Sequence, residues 1–157
     1  CSGLQIKCKH LSEKKIDYIV TVETKGIPVA ILTAQKLNIP VAVIRRNNKV
    51  TEGATVSINY VSGSSNNIQT MSLSRRSLKE NSTVLIVDDF MKGGGTAKGM
   101  ADMMREFNVN VVGTAVVIET LEPEKKLVDN YLSLMVLKKM NEKEGIIEIE
   151  PNFKLLR

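Results

Sequence analysis

Residues 84–96 constrain the fold of this chain more than any other part of its sequence. An apolar run, Val-Leu-Ile-Val, leads directly into Asp88 and Asp89, then into three consecutive glycines and a helical pattern. A buried strand that ends in a glycine loop and a helix start forms an anion site, because backbone N–H groups and the helix dipole converge there. In open α/β sheets, ligands lie at the carboxyl ends of the strands, where this loop falls. The stretch therefore predicts an α/β fold with a phosphate site at the edge of its sheet.

The rest of the chain alternates short runs rich in Val and Ile with helical patterns, which is typical of βαβ units and a parallel sheet. The predicted strands are residues 16–22, 41–44, 83–87, 109–118, 132–137 and 146–149, and the predicted helices are residues 27–37, 96–107 and 122–129.

Between the second and third of these strands lies a polar segment of a different kind. Two β-like stretches, residues 55–61 and 68–73, flank a soft tip at residues 62–67. Connections this long in compact domains are usually functional or disordered. We predict a β-hairpin that acts as a flexible lid over a ligand site.

The composition is that of one ordinary globular domain of 157 residues. Lys and Arg number 22 against 17 Asp and Glu, and the net charge of +5 mildly favours phosphate or nucleic-acid partners, although many domains carry such a charge without one. Two cysteines and one histidine make neither a disulfide framework nor a zinc site, so a cytoplasmic location is expected. No apolar run approaches the ~20 residues that span a bilayer.

Cys1, Leu4, Cys8 and Leu11 recur at helical spacing. This spacing predicts that the given sequence begins partway along a helix and that another segment precedes it.

The glycine loop does not fit two common nucleotide-binding patterns. The pattern Gly-x-x-x-x-Gly-Lys-Ser/Thr is absent, and Lys98 stands where a dinucleotide fingerprint needs its third glycine. Two carboxylates beside a phosphate cradle would repel a polyphosphate, but ionised carboxylates accept hydrogen bonds from the vicinal hydroxyls of a ribose. The motif thus predicts a ribose 5′-phosphate ligand; the alternative is a polar strand end followed by a simple glycine turn.

Residues 84–96 resemble the phosphoribosyl-pyrophosphate motif of the type I phosphoribosyltransferases, in which four apolar and two acidic residues precede a small-residue loop that ends in Gly-Gly-Thr. The resemblance implies the type I phosphoribosyltransferase fold over residues 1–157, with a central, mostly parallel sheet flanked by helices. It implies that Asp88 and Asp89 hold the ribose hydroxyls, directly or through a metal ion or water. The loop implied for the 5′-phosphate consists of Met91, Lys92, Gly93, Gly94, Gly95 and Thr96.

A second segment resembles the pyrophosphate loop of the same family. Thr24, Lys25 and Gly26 follow the first predicted strand, and such loops commonly contain a non-proline cis peptide whose presence the sequence leaves open. Basic residues near the end of the second predicted strand resemble those that reach the pyrophosphate. Without the resemblance, such residues are more often a solvated charge cluster. The residues assigned to the pyrophosphate and the lid are Arg45, Arg46, Lys49 and Tyr60.

Longer stretches resemble one group within this family, the purine operon repressors. The matching stretches are residues 22–28, 47–53, 56–65 and 88–92, so the resemblance includes loops, where chance agreement is rare. Proteins of this group carry an N-terminal winged-helix DNA-binding domain followed by a phosphoribosyltransferase-type domain. The resemblance implies that this chain is the effector-binding domain, without the domain that binds DNA.

The same resemblance implies a regulatory function. The inducer would be 5-phosphoribosyl-1-pyrophosphate (PRPP), which weakens DNA binding, with Mg²⁺ as a possible companion and no required cofactor. Purine nucleotides or a guanosine alarmone would compete for the pocket, because they share a phosphorylated ribose. The implied partners are a second copy of the chain in a homodimer and operator DNA through the absent domain, with no membrane. This interpretation assigns no catalytic residue and no metal site made by the protein alone.

The alternative is an adenine- or xanthine-like purine phosphoribosyltransferase of the salvage type. In the 6-oxopurine transferases, an Asp that is the candidate proton acceptor commonly stands where this chain has Lys92, and a protonated amine cannot accept a proton. This difference argues against a hypoxanthine or guanine enzyme but not against the other two. Gly93 is a second difference, because the repressor group usually has Ala there, and the extra glycine makes the loop softer.

Several residues outside these motifs have more than one interpretation. A basic trio after the hairpin either contacts the DNA backbone in the full protein or forms a solvated helix face. Phe90 and the turn at residues 119–121 are candidates for the border of a base pocket. The methionines of the helix after the glycine loop are assigned to the core or to a dimer face. The trio consists of Arg75, Arg76 and Lys79, and the methionines are Met100, Met103 and Met104.

Overall fold

The computed structural model describes residues 15–46, 53–62, 67–141 and 145–152. The elements in chain order are β1 (Tyr18–Val22), α1 (Gly26–Leu37), β2 (Val41–Arg46), β3 (Thr55–Val61), β4 (Ile68–Ser74), β5 (Thr83–Met91), α2 (Gly95–Glu106), β6 (Asn110–Thr120), β7 (Tyr131–Asn141) and β8 (Ile146–Pro151). The strands form one sheet in the order β3-β4-β2-β1-β5-β6-β7-β8. The central strands β2, β1, β5, β6 and β7 run parallel, and antiparallel strands stand at both edges. The predicted α/β fold with a mostly parallel sheet is confirmed.

Helices α1 and α2 cover different faces of the sheet. Successive strand residues point to opposite faces, so Ile19 packs with Ala30 and Ala34 of α1, whereas Val20 packs with Met100 of α2. The methionines of α2 are completely buried, which confirms their assignment to the core. Among the described residues, neither helix has the length and apolarity that crossing a membrane would require.

Strands β3 and β4 form the predicted hairpin, which extends the sheet beyond β2. Its inward-facing Tyr60 and Met71 are buried in the cluster that contains the α2 methionines. Gly99 of α2 permits this close packing, because a Cβ at that position would lie 2.8 Å from the Cβ of Tyr60. The described part of the hairpin is therefore anchored in the core.

The predicted helix at residues 122–129 is wrong. Residues 121–130 form an irregular connection, called here the β6–β7 loop. The backbone N–H of Leu127 donates to the carbonyl oxygen of Gly93 at 2.9 Å, and Lys126 donates through its side chain to the end of β6. Contacts with other elements therefore replace the intrahelical bonds that the sequence pattern predicted.

The boundaries of β5 also differ from the prediction. The strand continues to Met91, so Asp88 and Asp89 lie within it rather than after its end. Three further predictions lie outside the described residues: the N-terminal helical segment, Lys49 and the hairpin tip at 63–66.

Candidate functional site

A cleft with a volume of about 610 Å³ lies at the carboxyl ends of the central strands. Three segments that are distant in the sequence form most of its lining: the loop after β1, the end of β2, and the end of β5 with the start of α2. Val116 of β6 also lines it. The predicted site residues that line the cleft are Thr24, Lys25, Arg46, Asp88, Asp89, Met91, Lys92, Gly94, Gly95 and Thr96. The fold thus brings the segments predicted for the ribose, the phosphate and the pyrophosphate to one place.

Other predicted residues lie near the cleft without lining it. Arg45 and Arg46 are adjacent on β2, and side chains alternate between the faces of a sheet, so only Arg46 is directed to the cleft. Gly93 lies on the outer side of the glycine loop, where a Cβ would face Pro123 at 3.8 Å. Gly26 and Tyr60 lie behind the cleft wall and contact residues that line it.

Asp88 is buried, although it lines the cleft, and only 7% of it is exposed. Its Oδ1 accepts a hydrogen bond of 2.9 Å from the N–H of Asp89. Burial raises the pKa of Asp88 to about 7, the neighbouring Asp89 carboxylate adds to this, and Arg46 opposes it. Any ligand that supplies hydrogen-bond donors or a cation stabilises the ionised form of a carboxyl group in this position.

Gly26 provides the space that Asp88 occupies. A Cβ at position 26 would lie 2.5 Å from Oγ1 of Thr21 and 2.7 Å from Oδ1 of Asp88. Oγ1 of Thr21 is buried and has no hydrogen-bond partner within the described part of the chain. Gly26 was predicted as part of the pyrophosphate loop, whereas Thr21 was not among the predicted site residues, because Thr21 and Asp88 come together only in the folded sheet.

We expect Gly26→Ala to destabilise the chain by about 2 kcal/mol, because overpacking forces buried neighbours to move. The displaced neighbour includes the Asp88 carboxylate, so ligand affinity should fall as well. Urea denaturation measures the first effect. Gly93→Ala is the matched control: its Cβ meets only ordinary contacts, so its stability should be unchanged or higher by about 0.5 kcal/mol. Equal stability of the two variants would contradict this account of Gly26.

The loop after β1 is tied to the end of β2. Oε1 of Glu23 accepts a hydrogen bond of 2.5 Å from the N–H of Arg46. The sequence left the peptide geometry of this segment open, and the peptide bond between Glu23 and Thr24 is cis. Glu23 was not among the predicted site residues. Its contact joins two of the segments that line the cleft, the loop after β1 and the end of β2.

The glycine loop leads into α2 through a backbone turn that suits glycine. Gly94 has a φ of 83°, in the left-handed region, and precedes the first helical residue, Gly95. The first N–H groups of a helix have no partner within the helix, and among the described residues no side chain caps this one. Gly95, Thr96 and Ala97 line the cleft, so the positive end of the helix dipole faces it. This geometry suits a phosphate group.

Comparison with protein families identifies the fold family. The model described as "Phosphoribosyl transferase domain" matches residues 4–151. The chain belongs to this family. The purine biosynthesis transcriptional repressor PurR of Bacillus subtilis is 57% identical over 139 residues, which cover 88% of this chain and 49% of that protein. The purine biosynthesis transcriptional activator PurR of Lactococcus lactis is 42% identical over 146 residues, which cover 93% of this chain and 54% of that protein.

The predicted resemblance to the purine operon repressor group is therefore confirmed, and the phosphoribosyltransferase domain spans about half the length of these relatives. Two enzymes resemble it less closely. A xanthine phosphoribosyltransferase of Leuconostoc mesenteroides is 33% identical over 120 residues, 75% of this chain and 64% of the enzyme. The crystal structure of an adenine phosphoribosyltransferase from Thermoanaerobacter pseudethanolicus matches with a TM-score of 0.71 and 23% identity, over 86% of this chain and 78% of that one. At 23% identity, the similarity to the adenine enzyme shows only that the two chains share a fold.

Tyr60 connects the hairpin of the phosphoribosyltransferase domain to the start of α2. Its hydroxyl donates to Oε1 of Gln69 at 2.8 Å and lies within reach of the Thr96 hydroxyl. The pKa of Tyr60 is raised, chiefly by burial, while Arg46 opposes the shift. Tyr60 is thus a contact between β3 and the segment predicted to bind phosphate.

The candidates for a base pocket have different positions in the domain. Phe90 lines the cleft and is 41% exposed. Glu119 instead lies within β6, where its carboxylate accepts hydrogen bonds from Tyr131 at 2.8 Å and from Ser133 at 2.6 Å. Burial and the Glu119 carboxylate raise the pKa of Tyr131 to about 12. Of these candidates, Phe90 is the one that a ligand in the cleft can contact.

The basic trio lies at the end of the sheet opposite the cleft. β4 runs antiparallel to β2, so the turn after β4, which carries Arg75, Arg76 and Lys79, is at the amino ends of the parallel strands. The cleft is at their carboxyl ends. All three side chains are exposed.

Proposed function

We propose that the cleft binds PRPP and that the domain senses this ligand for a regulator of purine genes. The observation that carries the proposal is that Asp88 and Asp89 share one cleft with two groups suited to phosphate. One group is the start of α2; the other is formed by Lys25 and Arg46. PRPP carries a 5′-phosphate, two free ribose hydroxyls and a diphosphate. These parts correspond to the helix N–H groups, the two carboxylates and the basic residues.

The charge of the cleft supports a ligand that brings donors or a cation to the carboxylates. Mg²⁺ is usually bound by one or two carboxylates together with substrate phosphates, and Asp88 and Asp89 are suitable carboxylates. Among the described residues, no three Asp, Glu, His or Cys side chains form a metal-binding group. We propose that Mg²⁺, where present, arrives with PRPP.

The regulatory part of the proposal rests on the relatives that are named as regulators. In the full-length protein, PRPP alters DNA binding only if it binds the two states of the protein with different affinity. One relative is named a repressor and another an activator, so the domain is compatible with either direction of control. Purine nucleotides and a guanosine alarmone are competitors, because they also carry a phosphorylated ribose and Phe90 offers a ring against which a base can stack.

Two macromolecular partners belong to the same proposal. Operator DNA is contacted by the part of the full-length protein outside this domain. The exposed basic trio, at the end of the sheet opposite the cleft, is an additional candidate contact with the DNA backbone.

The homodimer interface is formed by the outer face of α1, where Ile31, Leu32 and Leu37 are 51%, 67% and 46% exposed. Light scattering at micromolar concentration measures the dimer, and a monomer would contradict it.

Catalysis by a xanthine- or adenine-like transferase is the second candidate, because enzymes of both kinds share the fold. Lys92 is exposed and lines the cleft, where a protonated amine cannot accept a proton, which argues against a hypoxanthine or guanine enzyme but not against a xanthine- or adenine-like one. We propose binding without turnover because the relatives at 57% and 42% identity are named as regulators, whereas the xanthine enzyme is 33% identical.

Calorimetric titration with PRPP and Mg²⁺, followed by incubation with each purine base, tests both parts. We expect saturable binding and no nucleotide formation at an enzymatic rate. Absence of binding would refute the sensor proposal, whereas rapid nucleotide formation would replace it with the enzyme. Titration with ribose 5-phosphate and with pyrophosphate separates the two phosphate groups of the ligand.

A further inference from the structure

We propose that Lys126 positions the glycine loop, and with it the 5′-phosphate site, by fixing the β6–β7 loop behind it. This inference rests on the proposed ligand. Lys126 does not line the cleft, so it would act through other residues. Lys126 is buried, it contacts β6, and its neighbours contact Gly93 and Gly94.

The burial pattern of the β6–β7 loop is the reverse of what its side chains favour. Lys126 is only 6% exposed, whereas the next residue, Leu127, is 61% exposed. Lysine is among the residues that are almost never fully buried unless they are paired. A local structure that buries the charged side chain and exposes the apolar one needs a specific contact to stabilise it.

The contact is at the end of β6. Nζ of Lys126 donates a hydrogen bond of 2.7 Å to the carbonyl oxygen of Thr120. Burial lowers the pKa of Lys126, and the carboxylates of Glu119 and Glu122 oppose this shift. Glu119 is itself held by Tyr131 and Ser133 of β7. The ammonium group therefore joins the β6–β7 loop to a fixed polar network of the sheet.

The neighbours of Lys126 contact the glycine loop directly. The N–H of Leu127 donates to the carbonyl oxygen of Gly93 at 2.9 Å. A Cβ at Gly94 would lie 3.2 Å from the backbone nitrogen of Leu127 and 3.5 Å from Cγ2 of Val128. The β6–β7 loop thus packs closely along the side of the glycine loop that faces away from the cleft.

This packing counteracts the flexibility of three consecutive glycines. Glycine loses more conformational freedom on ordering than any other residue, and a loop that is ordered only by its ligand binds more weakly. A glycine loop that is already held by Leu127 presents its N–H groups without that cost. Because Lys126 is the residue before Leu127, its contact with Thr120 fixes the position of the Leu127 N–H.

The test compares two neighbouring lysines. Lys126→Met keeps a long apolar side chain but removes the ammonium group, and Lys125→Met makes the same change at an exposed position. We expect Lys126→Met to bind ribose 5-phosphate about ten-fold more weakly, as for the loss of one oriented hydrogen bond. Pyrophosphate affinity should remain within about two-fold, because its proposed site lies at the other segments. Lys125→Met should match the unaltered chain for both ligands.

Two calorimetric outcomes would overturn the proposal. One is an unchanged affinity of Lys126→Met for ribose 5-phosphate. The other is an equal loss for ribose 5-phosphate and pyrophosphate, which would indicate a general structural role. If the unaltered chain binds neither ribose 5-phosphate nor PRPP, the proposed function itself fails.

Hydrogen exchange of the Leu127 amide provides a second measurement that does not depend on the affinity of the variant. We expect this amide to exchange faster in Lys126→Met, and to exchange more slowly in the unaltered chain when ribose 5-phosphate is bound. The second comparison needs no variant, and it tests whether the Leu127 amide is coupled to the 5′-phosphate site. An exchange rate that is unchanged in either comparison would overturn the proposed positioning role.

Discussion

We expect the double variant Asp88→Asn/Asp89→Asn to bind PRPP at least about 100-fold more weakly than the unaltered chain, because hydrogen bonds to charged groups contribute ~1.5–3 kcal/mol each. Asparagine keeps the shape of both side chains but removes the charge that favours hydroxyl donors and Mg²⁺. Titration calorimetry with PRPP and Mg²⁺ measures this loss. The affinity for pyrophosphate alone should not fall, since two negative charges near the cleft have been removed.

Asp102→Asn is the matched control for this experiment. Asp102 lies on the outer surface of α2, where it forms ion pairs of 3.0 Å with Lys98 and Arg105. Exposed pairs of this kind contribute little to stability. The control should therefore bind PRPP with unchanged affinity. If the double variant also bound PRPP as tightly as the unaltered chain, the ribose would not contact Asp88 and Asp89, and the sensor proposal would have to be abandoned.

The single variant Asp88→Asn should be more stable than the unaltered chain at pH 8, by about 2 kcal/mol. Burial raises the pKa of Asp88 from 3.8 to about 7, so at pH 8 the folded chain contains a buried carboxylate that is incompletely compensated. Asparagine is neutral and retains an oxygen that can accept the hydrogen bond from the N–H of Asp89. The same change should weaken PRPP binding, which is a typical conflict between stability and function at a ligand site.

The pH dependence of this effect follows from proton linkage. Between about pH 4 and pH 7 the folded chain binds more protons at Asp88 than the unfolded chain does. The contribution of Asp88 to the free energy of unfolding therefore falls as the pH rises through this window, and it is constant above it. The advantage of Asp88→Asn should grow from pH 5 to pH 7 and then level off.

Urea denaturation from pH 5 to pH 8 measures this prediction, with Asp102→Asn as the control for the loss of one exposed carboxylate. A difference between Asp88→Asn and the unaltered chain that does not change with pH would show that Asp88 titrates normally. In that case the burial of Asp88 would not affect its charge in the folded chain.

Much of the fold could be predicted because its signals are local. The strand before Asp88, the glycine loop and α2 are contiguous, and each has a residue pattern that reflects its own backbone geometry. The helix predicted at residues 122–129 failed for the opposite reason. Its Glu and Lys residues favour a helix, but Lys126 and Leu127 form hydrogen bonds with β6 and with the glycine loop, and a single sequence does not reveal such contacts.

The candidate site was also predicted only in part. Asp88, Asp89 and the glycine loop were recognisable because adjacent residues of one strand and one helix start form the site. Arg46 lines the cleft and Arg45 lies outside it. The difference is set by which face of β2 is directed to the cleft. The roles of Thr21 and Gly26 depend on atoms that meet across neighbouring elements of the folded chain.

The amino-acid sequence by itself determined the strand, the acidic pair and the glycine turn before α2, since short-range backbone preferences decide these features. Only the tertiary structure decided that Asp88 is buried and has a raised pKa, that Gly26 makes room for its carboxylate, and that Lys126 is buried in the loop that packs against the glycine loop. The physical reason is that burial, close contact and desolvation depend on how segments that are distant along the chain pack together.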